Sequence, residues 1–488
     1  MSRRLPQLTD QWTKIGPRFL PFADAATDEL PLSRLLRLAL FQISVGIAVT
    51  LITGTLNRVM ILELSVPAWL VSIMVALPLL FAPFRALIGH KSDTHKSILG
   101  WKRVPYIWFG TIFQFGGLAI MPMAILLMSE GGGPFFLGHM ITGLGFLLIG
   151  LGLHTTQTAG LALATDLAPQ ESRPRVVALL YVMLLIGMVI GALGFSWLLA
   201  DFNHPRLIQV IQGAAVVTIV LNVIALWKQE ARNPAATAPD LPRPTFLEAW
   251  RAFTSTNRTG RLLLAVGLGT LAFSMQDILL EPYGGQVLGL SVSATTLLTA
   301  LFAGGTLAGF ALAAQRLGHN CDPYRYAGLG VVIGVVGFTL VVFSAPLQSA
   351  FMFRGATAMI GFGSGLFAVC LLTATMQLAQ TTVDGRSTPH LSSNGIALGA
   401  WGAVNATAAG LGLAAGGALR DLFTAMGSSG LFGRVITDPA FGYGAVYHLE
   451  IGLLFATLIV LGPLVGAQRR ATDTTTNRHG FGLAEFPG

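Results

Sequence analysis

The chain repeats one feature twelve times: a run of about 20 or more mostly apolar residues, closed at each end by charge, Pro or Gly. The runs fall near 37–57, 67–88, 104–128, 135–163, 176–200, 206–227, 262–282, 292–316, 324–345, 350–380, 391–423 and 443–466. A helix rises about 1.5 Å per residue, so each run can cross a hydrocarbon core about 30 Å thick. In lipid every backbone N–H and C=O must be satisfied within the segment, and uninterrupted runs of this length do so as helices. An all-α membrane protein with twelve transmembrane helices is therefore expected. Composition agrees, with 53% hydrophobic and only 11% charged residues, where soluble domains carry about 25% charge.

The charge that remains is asymmetric. If both termini lie on one side, 25 of the 30 Lys and Arg share that side, and Arg58, Arg206, Arg354, Arg420 and Arg434 lie on the other. By the positive-inside rule both termini are cytoplasmic. The net charge of +8 then reads as topology and contact with anionic membrane lipids rather than nucleic-acid binding. No cleavable signal is read, because the first apolar run follows some 35 polar, Pro-punctuated residues and can itself span. Cys321 and Cys370 stand on different segments without metal-ligand spacing, so no metal site or disulfide is assigned.

The chain divides at its midpoint. A segment rich in Pro, Ala and charge, 228–261, separates a first half, 37–227, from a second, 262–466; an arm, 1–36, and a tail, 467–488, flank them. A short interfacial helix is expected near 245–253. "ELSVPA" from Glu63 is echoed by "GLSVSA" from Gly289, and one span later "GHKSD" from Gly89 is echoed by "GHNCD" from Gly318. Two parallel six-helix halves related by pseudo-symmetry follow. This arrangement resembles the major facilitator superfamily. Its signature between spans 2 and 3 is present in stretched form: Gly89, Asp93, Gly100, Lys102 and Arg103. An acid facing basic residues there can act as a cytoplasmic latch between conformations, with ordinary positive-inside charge as the plainer account. Asp166, with Arg173 and Arg175, is read as an interhelical ion pair at the same edge. The loop holding Asp384, Arg386 and His390 matches it by position in the second half.

Inside the apolar runs, two places stand out for their polar or ionisable groups. Asp277 and Glu281 stand four residues apart in span 7, followed by Pro282 and Gly284–Gly285. Such groups cost about 2.5–3.5 kcal/mol each at mid-membrane unless partnered. They are expected on one helix face, pointing at a cavity, a partner or a buried base, with Pro and Gly loosening the helix beyond them; hydration of Glu281 at the interface is the alternative. The second place is His154 in span 4, followed by Thr155, Thr156, Gln157 and Thr158. A neutral imidazole there can ligate a metal, including a chlorin magnesium, or bond to a neighbouring helix. Gly143, Gly145, Gly150 and Gly152 offer small surfaces for helix packing or for a flat ligand, and the small residues of spans 10 and 11 read as close helix packing.

Absences narrow the reading further. Spans 1 and 4 carry no mid-depth ionisable group besides His154, which is sparse for an ion-coupled carrier. There is no P-loop and no catalytic constellation, so enzyme activity is not expected.

"MQDILLEPYGGQVLGL" in span 7, "GTLNRVMILEL" after span 1, "FAPFRALIGHKSDTHKSILGWKRVPYIWFGT" and "LATDLAPQESRPRVVALLY" together resemble the PucC family, over about residues 35–466. The long arm and Arg-containing tail look more like its LhaA branch. The resemblance implies an assembly factor for light-harvesting antenna in an intracytoplasmic photosynthetic membrane, binding bacteriochlorophyll, with carotenoid or lipid as further ligands, and delivering pigment to nascent antenna α and β polypeptides. Implied partners are those polypeptides, the reaction centre with its core antenna, and bacteriochlorophyll synthase. On that reading His154, Asp277, Glu281, Pro282, Gly284 and Gly285 form the pigment or partner site. A secondary transporter of a small amphipathic solute and a pigment-free scaffold are the alternatives.

Overall fold

The computed structural model describes residues 30–80, 101, 103–129, 135–169, 172–230, 257–317, 321–383, 393–430, 436 and 438–465. Gly89, Asp93, Gly100, Lys102 and Gly318, the Asp384–His390 loop, most of the arm and linker, and the tail lie outside these residues. Twelve helical segments follow in order. The first half contains α1 (Leu32–Glu63), α2 (Ala68–Leu80), α3 (Val104–Ser129), α4 (Phe135–Leu167), α5 (Arg173–Leu198) and α6 (His204–Leu226). The second contains α7 (Asn257–Met275, continued by Leu280–Gln286), α8 (Val292–Leu317), α9 (Pro323–Ser344), α10 (Ala350–Val383), α11 (Ser393–Ser428) and α12 (Ala440–Leu461). Eleven are long and apolar enough to span, and α2 is a shorter apolar helix that ends where the described residues end. The protein is a multi-pass membrane protein.

The repeat is visible in the packing. α1 packs on α5 and α6, as α7 packs on α11 and α12; α2 and α3 pack on α4, as α8 and α9 pack on α10; α3 meets α6 as α9 meets α12. The halves join through two symmetry-related pairs, α2 with α11 and α5 with α8. Glycine permits the close approaches. A Cβ on Gly46 of α1 would collide with the α5 backbone at Leu184 and Met188, and one on Gly417 of α11 would meet Ala68 and Ser72 of α2. In lipid, where apolar contact alone gives little net drive, such backbone proximity is a main source of helix adhesion.

Gly145, Gly150 and Gly152 of α4 are spent the same way: added Cβ atoms would meet Met121, Pro78 and the α3 backbone respectively. Their role is helix packing. At the end of the first half nearest the termini, Arg103 Nε pairs with Asp166 Oδ2 at 2.9 Å, tying α3 to α4. The Glu230 carboxylate accepts from the Arg103 and Val104 amides at 2.9–3.1 Å, capping α3 from beyond α6. Asp166 is thus paired across helices with Arg103, within one half; the side chain of Arg173, one of its two expected partners, lies outside what is described. Arg173 opens α5, and Arg175 is half-buried in its first turn.

Candidate functional site

Both helices that open a half depart from α geometry in their last third. In α1, Thr50–Leu56 and Val59–Glu63 are π-helical. In α7, Gln276–Ile278 tightens into a 3-10 turn before α-helix resumes at Leu280. The irregularity in α7 therefore precedes Pro282 and the two glycines, which lie inside the resumed helix, contrary to the expected break beyond the acids. The reason is positional. Pro282 is the third residue of the new helix, within the first turn where its fixed φ is tolerated, and its missing donor leaves the Ile278 carbonyl open. Asn57 Nδ2 of α1 donates to that carbonyl at 2.9 Å and to Thr53 O at 3.1 Å.

Around this junction the halves interlock. Thr55 and Thr296 hydroxyls meet at 3.2 Å; Arg58 Nη2 donates to Leu290 O at 3.3 Å while its Nη1 pairs with Glu63 at 2.7 Å. Trp69 N donates to Asp421 Oδ2 at 2.8 Å, Ser72 Oγ to Ala414 O at 3.3 Å, and Ser196 Oγ to Ser293 O at 2.9 Å. These bonds lie toward the α1–α2 and α7–α8 turns and join the two halves on that face.

Glu281 is 3% exposed. Its Oε1 accepts from Thr299 of α8 at 2.6 Å, its Oε2 has no partner, and it sits against Gly54 of α1. Asp277, half-buried, accepts from the adjacent Gln276 amide, whose own Oε1 is buried and unpartnered. Gly285 lies under Leu62 and the Arg58 guanidinium, and Gly284 under Phe353 and Thr295, so both glycines admit neighbouring side chains. Tyr283 anchors the segment. Its hydroxyl donates to Val341 O at 3.0 Å, and its ring meets Phe353, Tyr443 and Tyr447 at 5.3–5.5 Å between centroids. Arg420 of α11 closes the outer flank, bonding Gln286 and Asp421 at 2.6 Å and Tyr443 Oη at 3.2 Å.

Three participants escaped the sequence reading. Glu450 of α12 is fully buried with both oxygens unpartnered, one turn from the equally buried and unpartnered hydroxyl of Tyr447. Its signal was the same as that of Asp277: an acid in the middle of an apolar span. Asn57 and Gln276 are uncharged and carry no such mark. Asp277 and Glu450 are each about ten residues from the turn-side end of their helices, roughly 15 Å at 1.5 Å per residue, which is mid-membrane.

His154 stands elsewhere. It is half-buried on α4, and its neighbours contact α3 and α1: Thr156 lies under Gly110, and Gln157 reaches Gln42 at 3.5 Å. A groove of about 650 Å3 opens on yet another surface, between α1, α5 and α6, where Gly191, Gly194 and Gly213 meet Asn203, Arg206 and Gln209.

A family model described as PUCC protein matches residues 55–469. The chain belongs to the PUCC family. It is 56% identical over 428 residues to Protein PucC of Rhodovulum sulfidophilum, covering 86% of this chain and 92% of the relative. It is 53% identical over 473 residues to an uncharacterized protein of the puhA-bchM intergenic region in Rhodobacter capsulatus, covering 96% and 97%. A more distant PUCC relative is the Bacteriochlorophyll synthase 44.5 kDa chain of that species, 28% identical over 449 residues, covering 91% and 97%. The PUCC chain has the fold of major facilitator transporters: the inward-facing, unoccupied form of a bacterial Spinster homologue aligns with a TM-score of 0.64 at 16% identity, covering 94% of this chain and 99% of that one.

Proposed function

We propose that this PUCC protein is a non-catalytic assembly factor for light-harvesting antenna, and that its cargo is bacteriochlorophyll. The observation that carries this reading is a set of buried oxygens without partners, Asn57 Oδ1, Gln276 Oε1, Glu281 Oε2 and both of Glu450, gathered where α7 meets α1 and α12. Oxygen donors suit magnesium, so these groups would hold a chlorin magnesium, directly or through water. Protonated carboxyls and the Tyr447 hydroxyl can donate to chlorin carbonyls. The residues present therefore fit the group. The names of the relatives, one of them a bacteriochlorophyll synthase chain, support the same cargo. His154 is a separate candidate ligand, and the glycine-floored groove on α5 and α6 suits a flat amphipathic molecule or lipid.

Delivery to nascent antenna α and β polypeptides places the protein in the inner, intracytoplasmic membrane with both termini cytoplasmic, beside the reaction centre and bacteriochlorophyll synthase. The core antenna is the favoured client because the long arm and tail look LhaA-like. With that topology the turn face, where hydrogen bonds join the two halves, is the outer one.

The test is gentle purification of the tagged protein from a phototrophic host, followed by absorption spectroscopy and chromatography of extracted pigment. Stoichiometric bacteriochlorophyll that survives removal of antenna polypeptides is expected. A colourless protein that still co-purifies with antenna or reaction-centre subunits would replace the carrier with a scaffold. Pigment retained in both His154→Ala and the double variant Asp277→Asn with Glu281→Gln would overturn the site.

A further inference from the structure

We infer that the groove between α5 and α6 holds a phospholipid of the leaflet that meets their turn, with an anionic headgroup at Arg206 and an acyl chain along the groove floor. The inference goes beyond the bacteriochlorophyll reading and concerns a different surface. α5 and α6 are consecutive helices that touch little, whereas their symmetry mates α11 and α12 pack along each other. The repeat therefore leaves a groove of about 650 Å3 in the first half, with Ile47 of α1 behind it. Two of its glycines are not spent on packing. A Cβ on Gly194 or Gly213 would meet nothing within 4 Å, whereas one on Gly46 or Gly417 would strike a neighbouring helix backbone. Their missing side chains keep the groove open.

The lining changes character along its length. Arg206 and Gln209 line the turn end of α6, and Gly213 and Val217 continue the same face at helical spacing, opposite Leu198 and Gly194 of α5. Arg206 and Val217 are eleven positions apart, about 16 Å at 1.5 Å per residue, which is half of a hydrocarbon core about 30 Å thick. A polar end followed by one leaflet's depth of apolar surface is the outline of a phospholipid. Trp197, beside the turn and 77% exposed, puts that polar end at the interfacial level where Trp collects.

The charge at that end complements a phosphate. Arg206 Nη1 stands 3.9 Å from Asp201 Oδ2, and the two side chains are 40% and 92% exposed. A contact so long and so hydrated holds the guanidinium weakly, which leaves its fork of N–H donors to a phosphate, the partner that fork fits in bidentate fashion. The N-terminus of α6, a helix of 23 residues, adds its positive dipole at the same place. Asn203, which lines that end too, accepts from the Arg206 amide at 2.8 Å and so fixes where the α6 N-terminus begins.

The experiment is native mass spectrometry of the purified full-length protein in detergent, titrated with phosphatidylglycerol and, separately, with phosphatidylcholine of the same acyl chains. The expected result is one phosphatidylglycerol per chain, bound about fivefold more tightly than phosphatidylcholine, the scale set by one basic residue at an anionic headgroup. Arg206→Gln should erase that preference and keep the weaker affinity common to both lipids. Gly213→Leu has room for the new Cβ and should weaken binding of both lipids about tenfold by filling the floor, as the loss of roughly two buried methylenes would. If one variant does not elute as monodisperse protein, the other decides. Equal affinity of the unaltered protein for both lipids, a preference that survives Arg206→Gln, or binding unchanged in Gly213→Leu would overturn the inference. So would a bacteriochlorophyll mass on the unaltered protein that Gly213→Leu removes, which would assign the groove to pigment.

Discussion

α1 and α7 are symmetry mates, and they fail to be regular helices in opposite ways. α1 widens into π turns over Thr50–Leu56 and Val59–Glu63, whereas α7 narrows into a 3-10 turn at Gln276–Ile278. Both distortions fall where the two helices meet. A π segment turns side chains out of register with the rest of the helix, and such segments collect at functional sites; in α1 the adjoining Asn57 faces the second half. The 3-10 turn with Pro282 leaves a carbonyl open, and Asn57 fills it. One helix supplies a displaced donor and the other an exposed acceptor. A repeat alone would have produced two identical helices, so the difference marks where the fold was adapted to a use.

The strongest way to break this pairing is at Gly54, where a Cβ would strike Glu281 and Thr299. Gly54→Leu should cost about 1–3 kcal/mol or more by overpacking, seen as a lowered Tm in detergent and as loss of the Glu281 position. Next in size, Asn57→Ala leaves the Ile278 carbonyl unsatisfied and should cost about 1–2 kcal/mol, within the range for buried polar groups and for interhelical bonds in lipid. The sharper form of that test is a double-mutant cycle. Pro282→Ala restores an N–H able to reach Ile278 O, so most of the Asn57→Ala cost should vanish in the Pro282→Ala background, whereas additive losses would show that Asn57 acts on something else.

Smaller effects separate satisfied from unsatisfied hydroxyls among the stacked tyrosines. Tyr283→Phe removes the bond to Val341 O and should cost about 1 kcal/mol. Tyr447→Phe removes a hydroxyl that has no partner and should be neutral or stabilising in the same melts; a large loss would mean that Tyr447 bonds to something brought by a cargo. Least of all, Glu63→Gln should change stability by about 0–1 kcal/mol, because the carboxylate of its pair with Arg58 is partly hydrated.

The helices were legible because their cause is local. A run of some 20 apolar residues has one low-energy conformation in lipid, and the expected spans match the observed helices to within a few residues, α1 and α11 extending furthest past their expected ends. The two halves showed in "ELSVPA" and "GLSVSA", which become the turns after α1 and α7, each with a left-handed residue, Ser65 at φ 53° and Gly289 at φ 63°. Asp277 and Glu281 were conspicuous for the same local reason, since charge in an apolar run is costly wherever it points.

What residue spacing could not tell is which groups meet. Asn57 and Ile278 are 221 positions apart, and Tyr283 and Tyr447 are brought together only by the packing of α7 on α12. That Asp166 pairs with Arg103 on α3, that Gly150 and Gly152 serve packing, and that His154 stands apart from the α7 cluster also depend on which helix faces lie opposite each other. Burial of apolar residues in a membrane determines that helices form and roughly where they end. Their mutual rotation is set by small residues and a few polar bonds between distant segments, and those exist only once the bundle has assembled.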